Sequence, residues 1–434
     1  MSPSAVHWQA VLDAWQAVRR LPSLSAAVVQ QGSVMWSGSA GIGGGVQVSY
    51  RIGSITKTMT AVLVLQLRDQ GDLGLDDALG RFVPEVSCPE VTLRQLLSHT
   101  AGLPSEPAGQ WWERTEGDDF AGLVARNISR IRPPAEEFHY SNLGYGYLGE
   151  VVARVSGAPW GELVAERIWQ PLGMESTSLL SGEDSIRGYS VDHLRGTLSP
   201  EPATDTRAMA PAGQVWSTVT DLARFSAVLL GQREDVLAAS SVAEMCTPQL
   251  PADGYGLGVR LFGDLAGHGG TMPGFQAGLW AAPTSGLAVA VLTNGTTGFT
   301  SHEFAEQMLS SDTPGPVEPW LPTQQVPDWA AELLGWWFWG NSAYELRWHN
   351  GRLEFHDCAR GLLAEQFVLA DDRIIGWAGY HRGETLNVVR RTDGGVGHLE
   401  CATFVYTRTA YDEHAPIPGG VPTRSAQDDL QRRT

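Results

Sequence analysis

The chain has 434 residues, of which 43% are hydrophobic and 18% charged, and its formal net charge is −18 at pH 7. This length favours two domains, and the negative charge argues against nucleic acid and anionic membranes as main partners. The sequence contains no apolar run long enough for a membrane span, and its N-terminal segment lacks the pattern of a signal peptide, so we expect a cytoplasmic protein.

The first 310 residues or so show a mixed pattern of helices and strands. An amphipathic helix at the start is followed by a predicted hairpin at 24–39, whose turn is Gln31-Gly32. Further helices are predicted at 55–70, 91–98, 142–156, 160–169, 218–231 and 301–310, and strands at 255–262, 275–282 and 287–293. This order predicts an α+β domain over 1–311, in which both chain ends supply an antiparallel sheet that is flanked by helices and a helical lobe.

The sequence changes character after residue 311. Residues 312–328 are rich in proline and predict a linker. Short alternating segments rich in Trp and Tyr then run through 329–411, separated by turns such as Asn350-Gly351, and predict a small antiparallel β-barrel. Residues 412–434 are predicted to be a tail.

The cysteines and histidines give no sign of a metal site or a cofactor. Cys88, Cys246, Cys358 and Cys401 lie far apart without a CxxC pair, which indicates free thiols, although Cys358 and Cys401 could lie on neighbouring strands. The 11 histidines form no zinc-binding spacing, so we expect neither metal nor cofactor.

The segment GSITKTMT (53–60) holds the only lysine of the chain, Lys57, three residues after Ser54. At the start of a helix these side chains share one face, and an apolar helix and its dipole would lower the pKa of the lysine, so that a neutral amine could activate the serine. An exposed lysine that follows a serine by chance, about one case in fifteen from composition, remains the alternative.

Two further segments contain groups that could join Ser54 in one cleft. Tyr140 and Asn142, in HYSNLGYGYL, could supply a phenol that relays a proton and an amide that binds a substrate carbonyl. In GHGGTMPGF (267–275), glycines allow a ligand close to the backbone, and His268 and the Thr271 N–H could contact it. Taken alone, the first segment is better explained as a tyrosine before a helix N-cap. The second could be a glycine-rich turn with a hydrogen-bonded histidine.

Taken together, Ser-x-x-Lys, Tyr-x-Asn and His-Gly-Gly resemble the serine β-lactamase and penicillin-binding-protein superfamily. The branch that contains class C β-lactamases, D-stereospecific carboxypeptidases and aminopeptidases, and β-lactamase-fold esterases is the most similar. The blocks LRQLLSHTAGLP (93–104) and WSTVTDLARF (216–225) extend the resemblance over roughly residues 10–310. The C-terminal barrel resembles lipocalin-like modules appended to some D-aminopeptidases and penicillin-binding-protein-type thioesterases.

The resemblance implies an acyl-enzyme mechanism. Ser54 would attack a carbonyl carbon, Lys57 would be the base and Tyr140 would pass the proton to the leaving group. The N–H groups of Ser54 and Thr271 would form the oxyanion hole. The substrate-binding residues would be Asn142, His268, Gly270 and Thr271.

His268 stands where β-lactamases and transpeptidases usually have the lysine of Lys-Thr-Gly. A histidine is a weaker cation that can lose its charge near neutral pH, so we expect weak or no β-lactamase activity. The favoured function is a serine hydrolase of small esters, amides or peptides. The alternatives are an acyltransferase or peptide cyclase that passes the acyl group to an amine, and a non-catalytic binding protein on the same fold.

His99, in SHTAGLP, is a second candidate for catalysis. A catalytic triad would also need an acidic partner and a serine within reach, and the sequence favours instead a histidine that stabilises a turn after a helix. The absence of a G-x-S-x-G elbow also argues against an α/β-hydrolase.

Overall fold

The computed structural model describes residues 4–250, 254–296, 298–412 and 414. The chain divides into two compact units. The first unit is formed by the chain up to Leu321 except for residues 191–198, and these residues join Pro322 and the chain after it in the second unit. No helix in the described ranges is both long and apolar enough to cross a membrane.

A six-stranded antiparallel sheet is the centre of the first unit, in the order β2-β1-β10-β9-β8-β7. Its strands are β1 (Ser23–Gln30), β2 (Ser33–Gly41), β7 (Arg260–Phe262), β8 (Leu265–Met272), β9 (Phe275–Ala282) and β10 (Leu287–Thr293). Shorter strands in this part of the chain are β3 (Tyr50–Arg51), β4 (Tyr189–Val191), β5 (Leu198–Pro200), β6 (Trp216–Ser217) and β11 (Gly295–Thr296). The N-terminal hairpin thus pairs with a strand from the far end of the unit, which confirms the predicted sheet.

Both faces of this sheet are apolar. In β10, Ala288, Ala290 and Leu292 face the larger core, and Val289 and Val291 face a smaller one. Side chains of a strand alternate between the two faces, so a strand covered on both sides reads as a continuous apolar run.

Helices cover the two faces of the sheet. Those of the first unit are α1 (Ala5–Val18), α2 (Ile55–Gln70), α3 (Leu93–Leu97), α4 (Phe120–Ala125), α5 (Asn142–Ser156), α6 (Trp160–Val164), α7 (Gln170–Leu172), α8 (Ala210–Gly213), α9 (Val219–Leu229), α10 (Ala239–Met245) and α11 (Ser301–Leu309). Helices α1 and α11 pack on the smaller core, and α2, α5 and α9 on the larger one. Helix α2 is buried over most of its length and ends at Gly71, whose left-handed φ of 82° closes it as the sequence predicts.

The largest difference from the predicted elements lies before β9. The predicted strand 255–262 is regular only from Arg260, and residues 265–272, for which no strand was predicted, form β8. Three glycines in LAGHGGTM lower the strand propensity of β8, and pairing with β9 along its whole length overrides that preference.

The second unit is a closed barrel of eight antiparallel strands, as predicted. After α12 (Asp328–Ala331), its strands are β12 (Gly335–Trp339), β13 (Ser342–His349), β14 (Arg352–Asp357), β15 (Leu362–Ala370), β16 (Arg373–Ala378), β17 (Thr385–Arg390), β18 (Val396–Cys401) and β19 (Phe404–Thr407). All four cysteines are free. Cys358 directly follows β14 and Cys401 ends β18, and these strands are not neighbours, so the suggested proximity of the two thiols is not found.

Candidate active site

Ser54 stands at the start of the buried helix α2. It is the N-cap residue, yet its hydroxyl makes no capping hydrogen bond, which is the usual use of a serine there. Its Oγ instead lies 2.9 Å from Nζ of Lys57, one helical turn along. The serine hydroxyl is therefore committed to the lysine amine rather than to helix stability.

Lys57 is fully buried, and its Nζ also donates a hydrogen bond to the carbonyl oxygen of Ala212 at 2.6 Å. Burial lowers the pKa of Lys57 to about 7, because the charged form loses its hydration. Glu106 and Glu113 raise this pKa and Arg260 lowers it, but the desolvation is larger. A substantial fraction of the amine is thus neutral at neutral pH, as a base requires.

Tyr140 also lies beside the amine of Lys57. The centroid of its ring is 5.0 Å from Nζ of Lys57. Burial raises the pKa of the Tyr140 phenol above its usual value, and hydrogen bonding to Ser54 and the charge of Arg260 offset only part of this rise. The phenol therefore keeps its proton at neutral pH, so the lysine is the better base of the two.

Glycines bring strand β8 against the start of α2. A Cβ on Gly270 would lie 1.9 Å from the carbonyl oxygen of Ile52, and one on Gly53, whose φ is 53°, would lie 2.6 Å from the backbone N of Thr271. The backbones of the Ser54 and Thr271 segments can approach this closely only without side chains at these two positions.

Asn142 is the first residue of α5, after the N-cap Ser141. Its Nδ2 donates to Oε1 of Glu106 at 2.6 Å, and Trp112 Nε1 donates to the other carboxylate oxygen at 2.6 Å. These bonds fix the orientation of the Asn142 amide. Its nitrogen, Nδ2, faces Glu106, and its oxygen, Oδ1, does not. The loop that carries Glu106 and Trp112 has no periodic pattern, so this contact could not be predicted from the sequence.

These groups surround one cleft of about 420 Å³. Its lining includes five of the predicted site residues, Ser54, Tyr140, Asn142, His268 and Thr271, together with Glu113 and Arg260. The other two predicted residues adjoin the cleft, because Lys57 bonds to Ser54 and Gly270 of β8 lies against the Ser54 backbone. The structure therefore brings all seven predicted residues to one place.

Arg260 was not among the predicted residues. Its guanidinium lies 5.3 Å from the centroid of the Tyr140 ring, and no salt bridge is found for it within the described residues. The segment YGLGVRLF is otherwise uncharged, and this single charge in an apolar strand pattern is the signal that could have revealed it.

His268 differs from the expected switchable cation. It is buried, its Nδ1 lies 2.5 Å from the carbonyl oxygen of Gly269, and its Nε2 lies 3.1 Å from the Tyr255 hydroxyl. Burial and the charges of Arg260 and Lys57 hold the pKa of His268 well below its usual range. Since both ring nitrogens are bonded to protein groups, this geometry does not support a cationic contact with substrate.

Comparisons with known proteins agree with this architecture. The sequence model of the beta-lactamase family matches residues 8–309, and that of a domain of unknown function, DUF7586, matches residues 326–408. Penicillin-binding protein 4 of Amycolatopsis lactamdurans is 32% identical over 329 residues, which are 67% of this chain and 85% of that protein.

Solved structures show the same fold. A D-stereospecific amidohydrolase from Streptomyces sp. is 29% identical with a TM-score of 0.59, and the match covers 70% of this chain and 97% of that one. An octameric penicillin-binding protein homologue from Pyrococcus abyssi is 21% identical with a TM-score of 0.63, and covers 92% of this chain and 98% of its own. The chain therefore belongs to the beta-lactamase family, a family of hydrolases.

Proposed function

We propose that this protein is a serine hydrolase that forms an acyl-enzyme on Ser54 with small esters or amides. The observation that carries the proposal is the buried Lys57 amine, 2.9 Å from the Ser54 hydroxyl and with a pKa of about 7. A buried lysine with only a structural role would lower the stability of the fold, since burial disfavours its charge. A base that must be neutral to work gains from that same burial.

The reaction begins when Nζ of Lys57 takes the proton of the Ser54 hydroxyl and Oγ attacks the substrate carbonyl carbon. The oxyanion of the tetrahedral intermediate would accept hydrogen bonds from the N–H groups of Ser54 and Thr271. Tyr140 gives its proton to the leaving amine or alcohol and recovers one from Lys57, which leaves the ester of Ser54. Water then attacks the carbonyl carbon of this ester. Lys57 and Tyr140 pass the proton of the water to the Ser54 oxygen, and the carboxylic acid is released.

The charges of the cleft indicate which substrates fit. Arg260 is a cation in the cleft without a salt-bridge partner among the described residues, so we assign to it the binding of a substrate carboxylate. Asn142, held by Glu106, would accept a hydrogen bond from an N–H of the acyl part. Both contacts favour amides or peptides, and the amidohydrolase relative supports the same substrate class.

A screen of p-nitrophenyl esters, D-amino-acid amides, short D-peptides and a chromogenic cephalosporin tests the proposal. We expect turnover of esters and amides, weak or no turnover of the cephalosporin, and a covalent adduct in the intact mass after treatment with a fluorophosphonate. Ser54→Ala should lose both the turnover and the adduct. Turnover or an adduct that survives in Ser54→Ala would refute the proposal. Added amine shows whether water or an amine takes the acyl group.

A further inference from the structure

His99 is a buried histidine that takes no part in the steps above. It follows helix α3 with a left-handed φ of 59°, which few residues other than Gly, Asn, Asp and His adopt. Its ring packs against the ring of Tyr140, with centroids 4.2 Å apart. The carbonyl oxygen of His99 accepts the N–H of His139 at 2.8 Å, and its Nδ1 accepts the N–H of Ser141 at 3.0 Å. One residue thus holds the backbone on both sides of Tyr140.

These partners assign the tautomer of His99. A backbone N–H can only donate, so Nδ1 of His99 holds a lone pair and the proton of the neutral ring lies on Nε2. Nε2 lies 3.1 Å from the hydroxyl of Tyr255. The ring therefore donates to the oxygen of Tyr255 and leaves the hydroxyl proton free to point elsewhere.

The opposite tautomer follows for His268. A carbonyl oxygen can only accept, so Nδ1 of His268, which lies 2.5 Å from Gly269 O, carries the proton. Its Nε2 then holds a lone pair, and the Tyr255 hydroxyl 3.1 Å away donates to it. The two histidines and the tyrosine form one directed chain, from His99 through Tyr255 to His268, in which each donor meets an acceptor.

We propose that His99 is a positioning residue that holds the phenol of Tyr140 in place for proton transfer. His99 does so as the neutral Nε2–H tautomer, with His268 in the Nδ1–H form. The proposal rests on the proposed function, because it assigns a task to Tyr140. His99 itself does not touch the reacting atoms. It acts through the two backbone bonds and the ring contact that fix Tyr140.

The charged form of His99 would not fit this arrangement. A second proton would lie on Nδ1 and face the N–H of Ser141, so that a donor would meet a donor and the bond beside Tyr140 would be lost. Burial, together with nearby positive charge, holds the pKa of His99 well below its usual range. The titratable groups around it are Lys57, His139, Tyr140, Tyr145, Tyr255, Arg260 and His268.

A change of leaving group distinguishes a positioning role of His99 from a general loss of folded structure. An amide nitrogen must be protonated as it leaves, whereas p-nitrophenolate leaves without a proton, so acylation depends strongly on Tyr140 only for the amide. We expect His99→Leu to lower kcat/KM, which reports acylation, by about 100-fold for a D-amino-acid amide and by less than tenfold for the p-nitrophenyl ester of the same acyl group. His99→Asn, which keeps an acceptor near the Nδ1 position and tolerates a left-handed φ, should recover part of the amide rate. Equal losses on ester and amide would overturn the proposal.

His7→Leu is the matched control. His7 is also buried in the first unit, but it bonds to Thr313 and to the carbonyl oxygen of Gln307. Its loss should leave the ratio of amide to ester turnover unchanged. If His7→Leu shifted that ratio as His99→Leu does, the shift would report loss of stability and the proposal would fail.

A double-mutant cycle distinguishes failure of this inference from failure of the proposed function. If His99 acts through Tyr140, His99→Leu should have little further effect on amide turnover in a Tyr140→Phe background. Additive losses would refute the positioning role while leaving the hydrolase intact. If Tyr140→Phe alone left amide turnover unchanged, the proton-transfer role of Tyr140 in the proposed function would itself be wrong.

Nitrogen NMR of the ¹⁵N-histidine-labelled wild-type protein tests the tautomers without any variant in the measured sample. The spectra of His99→Asn and of a His268 variant serve only for assignment. We expect His99 to carry its proton on Nε2 and His268 on Nδ1 throughout the neutral range. A His99 ring that is protonated on Nδ1, or that titrates near pH 6.5 in the folded protein, would contradict the proposal.

Discussion

Lys57 is the residue on which the account depends. Its environment is built from α2, the carbonyl of Ala212 and the rings of Tyr140 and Tyr145, with Nζ 5.0 and 5.6 Å from the two ring centroids. Apolar and aromatic surroundings remove the hydration of an ammonium, and this lowers its pKa to about 7. Arginine could not take this place, since it keeps its proton at any working pH.

Arg260 carries a prediction about substrate choice. Arg260→Gln should raise KM at least tenfold for substrates with a free carboxylate, because the cation that would hold that group is gone. The same variant should change kcat/KM for a neutral acetyl ester by less than threefold. Steady-state kinetics on a matched pair, a peptide acid and its amide, makes the comparison. If both members of the pair lost activity equally, Arg260 would support the site rather than bind the carboxylate.

The sequence predicted the residues that meet in the cleft better than the residues that support them. Spacing alone places Ser54 and Lys57 together at the start of α2. It likewise places Tyr140 and Asn142 together at the start of α5. Glu106 reaches Asn142 from an irregular loop, and Arg260 reaches Tyr140 from a separate strand. Such contacts depend on how distant segments pack, and local periodicity contains no information about that.

At the scale of elements, the close approach of β8 to the start of α2 builds the site. We predict that Gly270→Ala lowers kcat/KM by about 100-fold or more, because its Cβ would lie 1.9 Å from Ile52 O and push the Thr271 backbone away from Ser54. Gly182→Ala, where a Cβ meets nothing within 4 Å, is the control and should leave kcat/KM unchanged. Wild-type kinetics in Gly270→Ala would show that this approach is not needed.

Helix α2 buries the ionisable amine of Lys57 among apolar side chains, and this lowers the stability of the folded protein. The pKa of Lys57 falls from 10.5 to about 7 on folding, so the unfolded chain binds more protons than the folded one between these pH values. Stability therefore rises with pH over that window. Lys57→Met should therefore raise the free energy of unfolding at pH 7 by about 2–4 kcal/mol, after allowing for two lost hydrogen bonds, while abolishing activity.

The pH dependence of that gain makes the test specific. The gain should be largest below about pH 7 and should be lost as the pH rises through 10.5, above which lysine is neutral in both states. Denaturant unfolding of wild-type and Lys57→Met protein at several pH values measures it. A variant that is less stable than wild type at pH 7, or a gain that grows with pH, would contradict the buried, neutral amine.

At the scale of the whole molecule, the barrel unit draws on two distant parts of the sequence. Residues 191–198 belong to it, and Leu194 packs on its core and accepts a hydrogen bond from the backbone N–H of Trp348 at 2.8 Å. The barrel itself was predictable, because alternating strands between short turns pair locally. The participation of 191–198 was not, since it joins segments that lie far apart in the chain.

This arrangement predicts how the barrel responds to a change outside its own sequence range. Leu194→Ser should lower the stability of the barrel unit by about 1–2 kcal/mol through lost apolar contact, and leave ester turnover at Ser54 unchanged. Leu180→Ser, at a leucine that is 53% exposed, is the control and should change neither. Thermal unfolding followed by tryptophan fluorescence measures the effect. An equal response of the two variants would show that Leu194 does not contribute to the barrel core.

The most direct test of the account is the pH dependence of acylation, measured as the burst of p-nitrophenol from an activated ester in rapid mixing. The acylation rate should fall about tenfold per pH unit below an apparent pKa near 7 and stay level above it, because only neutral Lys57 can take the Ser54 proton. Lys57→Arg should show no burst at any pH. A burst in Lys57→Arg, or an apparent pKa near the ordinary lysine value of 10.5, would contradict the central claim.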